Sequence, residues 1–140
     1  MLRLLSCLVA LVLSAVLATA VAEEPTGYVC TFKTGQAYSH AKGRFKPAKA
    51  GPVTLDIATI NHAQQSAELV SGERRASLRI IRAVNAVHFL EAVGEGFLNL
   101  TTIYDRDVGS PNQAAVHSRH FGVLGQPIVS QYRGTCLAKG

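Results

Sequence analysis

Apolar and polar residues alternate along this chain in short stretches, and the alternation has period two. The clearest is Pro52-Val53-Thr54-Leu55-Asp56-Ile57-Ala58, which predicts a half-buried strand with Val53, Leu55 and Ile57 facing inward. Tyr28 to Lys33 predicts an earlier strand closed by Thr34-Gly35, and Tyr38 to Phe45 a second, weaker one. Ser66 to Val70 and Ser77 to Ala83 flank a turn at Ser71-Gly72-Glu73-Arg74. Ala86 to Val93 and Phe97 to Tyr104 flank Gly94-Glu95-Gly96, a three-residue connection that reads as a hairpin with glycine supplying positive φ. A polar loop over Asp105 to Gln113 leads into a strand from Ala114 to Val123, and Pro127 precedes the last, Ile128 to Leu137. Asn61 to Ala67 reads as a turn or a single helical turn. Ala76 to Val87 could be written at helical spacing, but the β-branched Ile80, Ile81 and Val84 favour strand.

Eight or nine short strands in one meander predict an all-β fold, an antiparallel closed barrel or sandwich of about eight strands. The opening residues are of another kind. Arg3, an apolar run from Leu4 to about Val21 and the small residues of Ala20-Val21-Ala22 before Glu-Glu-Pro have the order of a secretory signal helix with its cleavage site. Residues 1–22 are therefore expected to be a signal peptide and 23–140 a single β-barrel domain, secreted or periplasmic, with no membrane span after cleavage. An uncleaved anchor is the competing reading, since about 18 apolar residues can just span a bilayer.

That destination gives the cysteines a meaning. Cys7 belongs to the leader, so Cys30 and Cys136 are left for one intramolecular bond near the two ends of the domain. A barrel brings first and last strands together, so the expected closure and the expected disulfide support each other. Charge adds less. The chain has 14 Lys and Arg against 9 Asp and Glu, and only Arg3 leaves with the leader, so the domain is mildly basic. Such a surface suits anionic partners, but the aromatic-rich basic motifs of nucleic-acid binders are missing and no nucleic acid is expected.

Candidate chemistry concentrates in Ala115-Val116-His117-Ser118-Arg119-His120-Phe121. On a strand, Ala115, His117, Arg119 and Phe121 share one face while Val116, Ser118, His120 and Gly122 share the other, so the two histidines point apart. A metal site would then need His88, Glu91 or His40 from neighbouring strands. A hydrolase would take Ser118 as nucleophile with His120 or His88 as base, but side chains two apart on a strand stand about 6 to 7 Å apart, too far for that hydrogen bond. The plainer reading pairs Arg119 with a carboxylate, Glu91 first. Lys42, Arg44, Lys46 and Lys49, with Phe45 among them, make the densest basic stretch, and Lys42, Arg44 and Lys46 alternate onto one predicted strand face. Gly94-Glu95-Gly96 is a bare G-x-G without phosphate-loop context, and Asn99-Leu100-Thr101 matches a glycosylation sequon only inside a predicted strand.

Cys30-Thr31-Phe32, His88-Phe89-Leu90-Glu91, Leu100-Thr101-Thr102-Ile103, Ala115 to His120 and Ser130-Gln131-Tyr132-Arg133-Gly134-Thr135-Cys136 together carry a resemblance. The layout resembles small secreted bacterial two-cysteine β-barrel proteins of unknown function, which begin with a C-x-F strand and end in SQ-Y-x-G-x-C. A looser, fold-level likeness extends to lipocalin-like and lysozyme-inhibitor-like barrels, although this chain has no Trp and so lacks the lipocalin Gly-x-Trp signature. The resemblance implies a fold and brings no reaction with it.

The function expected from these residues is a non-catalytic binding module with no cofactor and no metal. Its partner would be an envelope protein or anionic glycan, met by a surface that includes His88, Glu91, His117, Ser118, Arg119, His120, Lys42, Arg44 and Lys46. The alternative is a carrier with a small apolar ligand inside the barrel. An enzyme built around His88, Glu91, His117, Ser118 and His120 would need three of those side chains to converge.

Overall fold

The first strand is longer than its hydrophobic pattern suggests. In the computed structural model, which describes residues 23–93, 96–122 and 125–140, β1 runs from Gly27 to Ala41 without stopping at Thr34-Gly35. The leader, 1–22, lies outside the described residues. What reads as a turn at Thr34 is a bulge. Thr31 opposes Thr135 and Thr34 opposes Arg133, so two residues of β1 face Gly134 alone. The extra residue shifts the inward face from Tyr28, Cys30 and Phe32 before the bulge to Gly35 and Ala37 after it. Gly134 is required there, because a Cβ at this position would stand 2.9 Å from Phe32 Cα and closer still to the Thr31 carbonyl oxygen.

The predicted strand from Tyr38 to Phe45 is instead a hairpin. Lys42 and Gly43 both have positive φ, 53° and 76°, as a tight two-residue turn between right-twisted strands demands. The chain returns as β2, Arg44–Ala48, paired with the second half of β1 from Ala37↔Ala48 to Ala41↔Arg44. Lys42 therefore sits in the turn, and the expected row of Lys42, Arg44 and Lys46 on one strand does not form.

The rest is an antiparallel meander: β3 Val53–Asn61, β4 Ser66–Ser71, β5 Arg74–Arg82, β6 Ala86–Val93, β7 Phe97–Tyr104, β8 Asn112–Phe121 and β9 Ile128–Lys139. Each strand pairs with the next, and β9 returns to β1, so β1 and β3 to β9 close an eight-stranded barrel with β2 as one extra strand. Of the two predicted architectures the barrel is the one adopted. Ser77 to Arg82 is strand within β5, as Ile80 and Ile81 predict, whereas Ala83 lies past its end and Val84 is fully exposed in the β5–β6 turn. Asn61 to Ala67 contains the β3–β4 turn, and Val93↔Phe97 closes the three-residue hairpin. Gly96 there has φ 89°. Cys30 and Cys136 oppose each other across the β1–β9 seam and form the disulfide. Such a bond is compatible with an oxidising extracellular or periplasmic location.

The interior is filled unevenly. Phe32, Phe89, Ile57, Ile80, Ile103 and the disulfide are fully buried in one cluster, joined by Val53, Leu55 and Leu78. Fully burying such a side chain contributes about 1.5 to 3 kcal/mol, so this cluster supplies most of the driving force. Beside Tyr28 the same end of the barrel is crossed by the chain before β1. Glu24 accepts from Arg82 Nη2 at 2.6 Å and lies 3.2 Å from His62 Nε2. The opposite end, toward the β1–β2 hairpin, is open.

Candidate functional site

Strand register places the inward residues of β6 to β9 and β1 in transverse rows. Deepest is Phe89, Thr101, His117, Tyr132 and Gly35; next come Glu91, Asn99, Arg119, Ser130 and Ala37; outermost are Phe97, Phe121, Ile128 and Ser39. The first row closes the apolar core, whereas the second and third surround an open cup. Ala37, Phe97, Asn99, Arg119, Phe121, Ile128, Ser130 and Tyr132 line it, with Lys49 from the β2–β3 connection, around a volume of about 370 Å³. Gly35 is needed on the floor because the Tyr132 ring lies over it. A Cβ there would press into that ring, 3.0 Å from its Cγ.

A polar chain runs from the floor to the wall. Arg119 Nε donates to His117 Nε2 at 3.0 Å, and His117 Nδ1 lies 2.9 Å from Thr101 Oγ1. Because a guanidinium can only donate, Nε2 must accept, which puts the ring proton on Nδ1, donating to Thr101. His117 is thus held as a neutral imidazole. Its surroundings agree, since burial first and the Arg119 guanidinium second push its pKa from the ordinary 6.5 down to about 4. The rings of Phe32 and Tyr132 flank it, centroids 5.6 and 6.1 Å away. No buried side-chain nitrogen or oxygen among the described residues lacks a hydrogen-bond partner.

Arg119 is fixed from two sides, by His117 and by the Tyr132 ring, whose centroid lies 5.7 Å from the guanidinium carbon. Its expected partner is elsewhere. Glu91 is in the same transverse row but accepts from Asn99 Nδ2 at 2.7 Å, with Asn99 standing between it and Arg119 in the register. The ion pairs among the described residues are Glu24 with His62 and Arg82, Glu68 with Arg75, and Asp56 with Lys139. The pairing of Arg119 with Glu91 is therefore corrected: the register offers Glu91 a nearer donor, and Arg119 keeps its Nη groups free of any described carboxylate.

The other predicted residues divide by face. His117 and Arg119 point into the barrel; Ser118 and His120 point out, as alternation requires, and no hydrogen bond joins them. His88 also faces outward, its Nδ1 2.9 Å from Thr102 Oγ1. His88, Glu91, His117, Ser118 and His120 thus occupy both faces and do not converge, and no three His, Cys, Asp or Glu among the described residues gather at metal-ligand range. Arg44 and Lys46 oppose Ala41 and Ser39, which puts them on the cup's side of the β1–β2 hairpin. Lys49 belongs to the basic stretch that the sequence shows, but Phe97, Asn99, Phe121, Ile128, Ser130 and Tyr132 are not among the binding residues that the sequence predicts. Phe121 was legible as the next same-face residue after Arg119, but the others depend on which strands pair.

Comparison with protein-family models and with curated proteins gives no match to this chain. What the structure shares with the barrels that the sequence resembles is a small, closed all-β barrel with a Cys30–Cys136 bond.

Proposed function

We propose that this protein is a non-catalytic binding protein of an oxidising compartment, secreted or periplasmic, that takes a small ligand into the open end of its barrel. One observation carries the reading: beyond the packed core cluster, the end of the barrel at Arg119 is a cup of about 370 Å³ walled by aromatic rings and an arginine without a described carboxylate partner. That volume lies at the small end of the range of ligand pockets, and the mix of apolar wall with few polar groups is their usual composition. A binding role is also favoured over catalysis by His117, the imidazole at the cup floor, which is neutral with both nitrogens engaged. The ligand sits at the mouth rather than deep inside, because Phe32, Phe89 and Ile80 fill the depth.

The test is a cup-filling variant. Ser130→Trp puts a large ring into the cup from β9. It should abolish ligand-induced amide shifts at Phe97, Arg119 and Phe121 in NMR spectra while leaving the β1–β9 disulfide and the far-UV spectrum unchanged. Shifts that persist in the variant, or that fall on the outer face at Ser118 and His120, contradict a ligand in the cup.

A second reading has its own support. Residues 25–55 contain Lys33, Lys42, Arg44, Lys46 and Lys49 and no acidic residue, so the β1–β2 hairpin is a cationic edge suited to an anionic glycan or an acidic envelope protein. Retention on an anionic polysaccharide column that falls on replacing Lys42, Arg44 and Lys46 by Gln would support it; unchanged retention would remove it.

A further inference from the structure

We infer that the ligand of the cup is an amphipathic carboxylate, its head group on Arg119 and its apolar body along Phe97, Phe121 and Ile128; this rests on the cup being the binding site. The charge of the lining decides the sign. Arg119 and Lys49 are its ionisable cations, and no Asp or Glu is among the described lining residues. Glu91, the nearest acid in the register, is held by Asn99.

Geometry decides the head group. With Nε committed to His117, the guanidinium turns a fixed, planar pair of Nη donors toward the cup, and a carboxylate matches that fork with two parallel hydrogen bonds. His117 is a positioning residue. It contributes no charge above about pH 4, where it is neutral, and its acceptor nitrogen holds the guanidinium in place. The anion then meets a side chain that is already ordered, which lowers the entropic cost of binding.

The wall decides the rest of the molecule. Phe97 and Phe121 meet edge to face with centroids 4.2 Å apart, and Ile128 stands at the rim 37% exposed. An inorganic anion would leave these surfaces in water. A chain or ring attached to the carboxylate covers them, at about 25 cal/mol per Å² of apolar surface removed from water. The lining thus favours an alkyl or aryl carboxylate over free phosphate and over a neutral lipid of the same length.

Isothermal titration calorimetry of the oxidised domain with octanoate, octanol and octylamine tests this. Octanoate is expected to bind best, octanol at least about tenfold more weakly, and octylamine not at all. Arg119→Gln should weaken octanoate about 10- to 100-fold, the value of a charge-assisted hydrogen bond, and leave octanol unchanged. Arg119→Lys, which keeps the charge and loses the fork, should recover only part of the loss. His117→Gln should weaken octanoate less than Arg119→Gln does and leave octanol unchanged, so the preference for octanoate narrows without vanishing.

Octanol binding as tightly as octanoate, with Arg119→Gln changing neither, overturns the carboxylate assignment while leaving the cup as a site. Binding of none of the three, or octanoate binding that Ser130→Trp does not reduce, overturns the cup reading itself. Inorganic phosphate matching octanoate in affinity would likewise overturn the amphipathic assignment. Circular dichroism and a free-thiol assay on each variant establish that the barrel and its disulfide are intact.

Discussion

Acidification should destabilise this barrel through His117, and the size of the effect can be worked from its surroundings. His117 is 2% exposed, between Phe32 from β1, Tyr132 from β9, Thr101 from β7 and Arg119 on its own strand. In the unfolded chain its pKa is near 6.5; in the folded protein burial and Arg119 push it down to about 4. Between those values the unfolded state binds the proton and the folded state does not. The contribution is therefore fully present above about pH 6.5 and is lost as pH falls toward about 4. At 1.36 kcal/mol for each pH interval of one, the loss is roughly 3 kcal/mol, a substantial part of the net stability of a domain this size. Urea denaturation of the wild type and of His117→Gln at a series of pH values between about 7 and about 4 measures it, because carboxylate contributions common to both proteins cancel. The wild type should lose roughly 3 kcal/mol more than the variant across that range. Equal losses in the two proteins, or a His117 ring proton that titrates near its ordinary value in NMR spectra of the folded state, would refute the reasoning.

Other expected outcomes are independent of this one. Replacing Cys30 and Cys136 together by Ala opens a covalent loop with a sequence separation of 106 and should cost about 4 to 5 kcal/mol by urea denaturation. The β1–β9 ladder from Gly27↔Lys139 to Ser39↔Ile128 should hold the same native register without the bond. A loss below about 1 kcal/mol would contradict that account. Gly134→Ala should cost more than about 2 kcal/mol, since its Cβ meets β1 backbone rather than a flexible side chain. Gly51→Ala, with open space around it, should be near neutral by the same urea denaturation. Glu24→Gln should cost less than about 1 kcal/mol, because the carboxylate is 57% exposed and its pairs with Arg82 and His62 are screened; a larger loss would mean that the segment before β1 is integral to the core.

Much of the fold was legible because closing a barrel depends on local signals that repeat. Val53, Leu55 and Ile57 are buried as their alternation requires, and two cysteines at the ends of one meander leave little choice but to join the seam. The bulge at Phe32-Lys33 was hidden, since the bulged residues look like any strand and the glycine that makes room for them lies a hundred residues away at Gly134. Lys42-Gly43 looks like strand in the sequence because basic residues alternate across it, although positive φ at both residues makes it a turn.

The site was half visible for a similar reason. Alternation alone separates His117 and Arg119 from Ser118 and His120, and the structure keeps that division. What surrounds Arg119 depends on cross-strand register, which no local pattern specifies. Asn99 stands between Glu91 and Arg119 because β7 lies between β6 and β8, and that intervening strand defeats the obvious charge pairing. Lys49 reaches the cup only because β2 folds back along β1.

Native mass spectrometry of the oxidised protein, recovered from the compartment in which it forms its disulfide and compared with its denatured mass, tests the central claim most directly. The account predicts a single organic anion of small mass that leaves on denaturation, is absent from Ser130→Trp and is reduced in Arg119→Gln. An adduct that Ser130→Trp retains would contradict it. So would a bare chain that takes up no carboxylate when incubated with one.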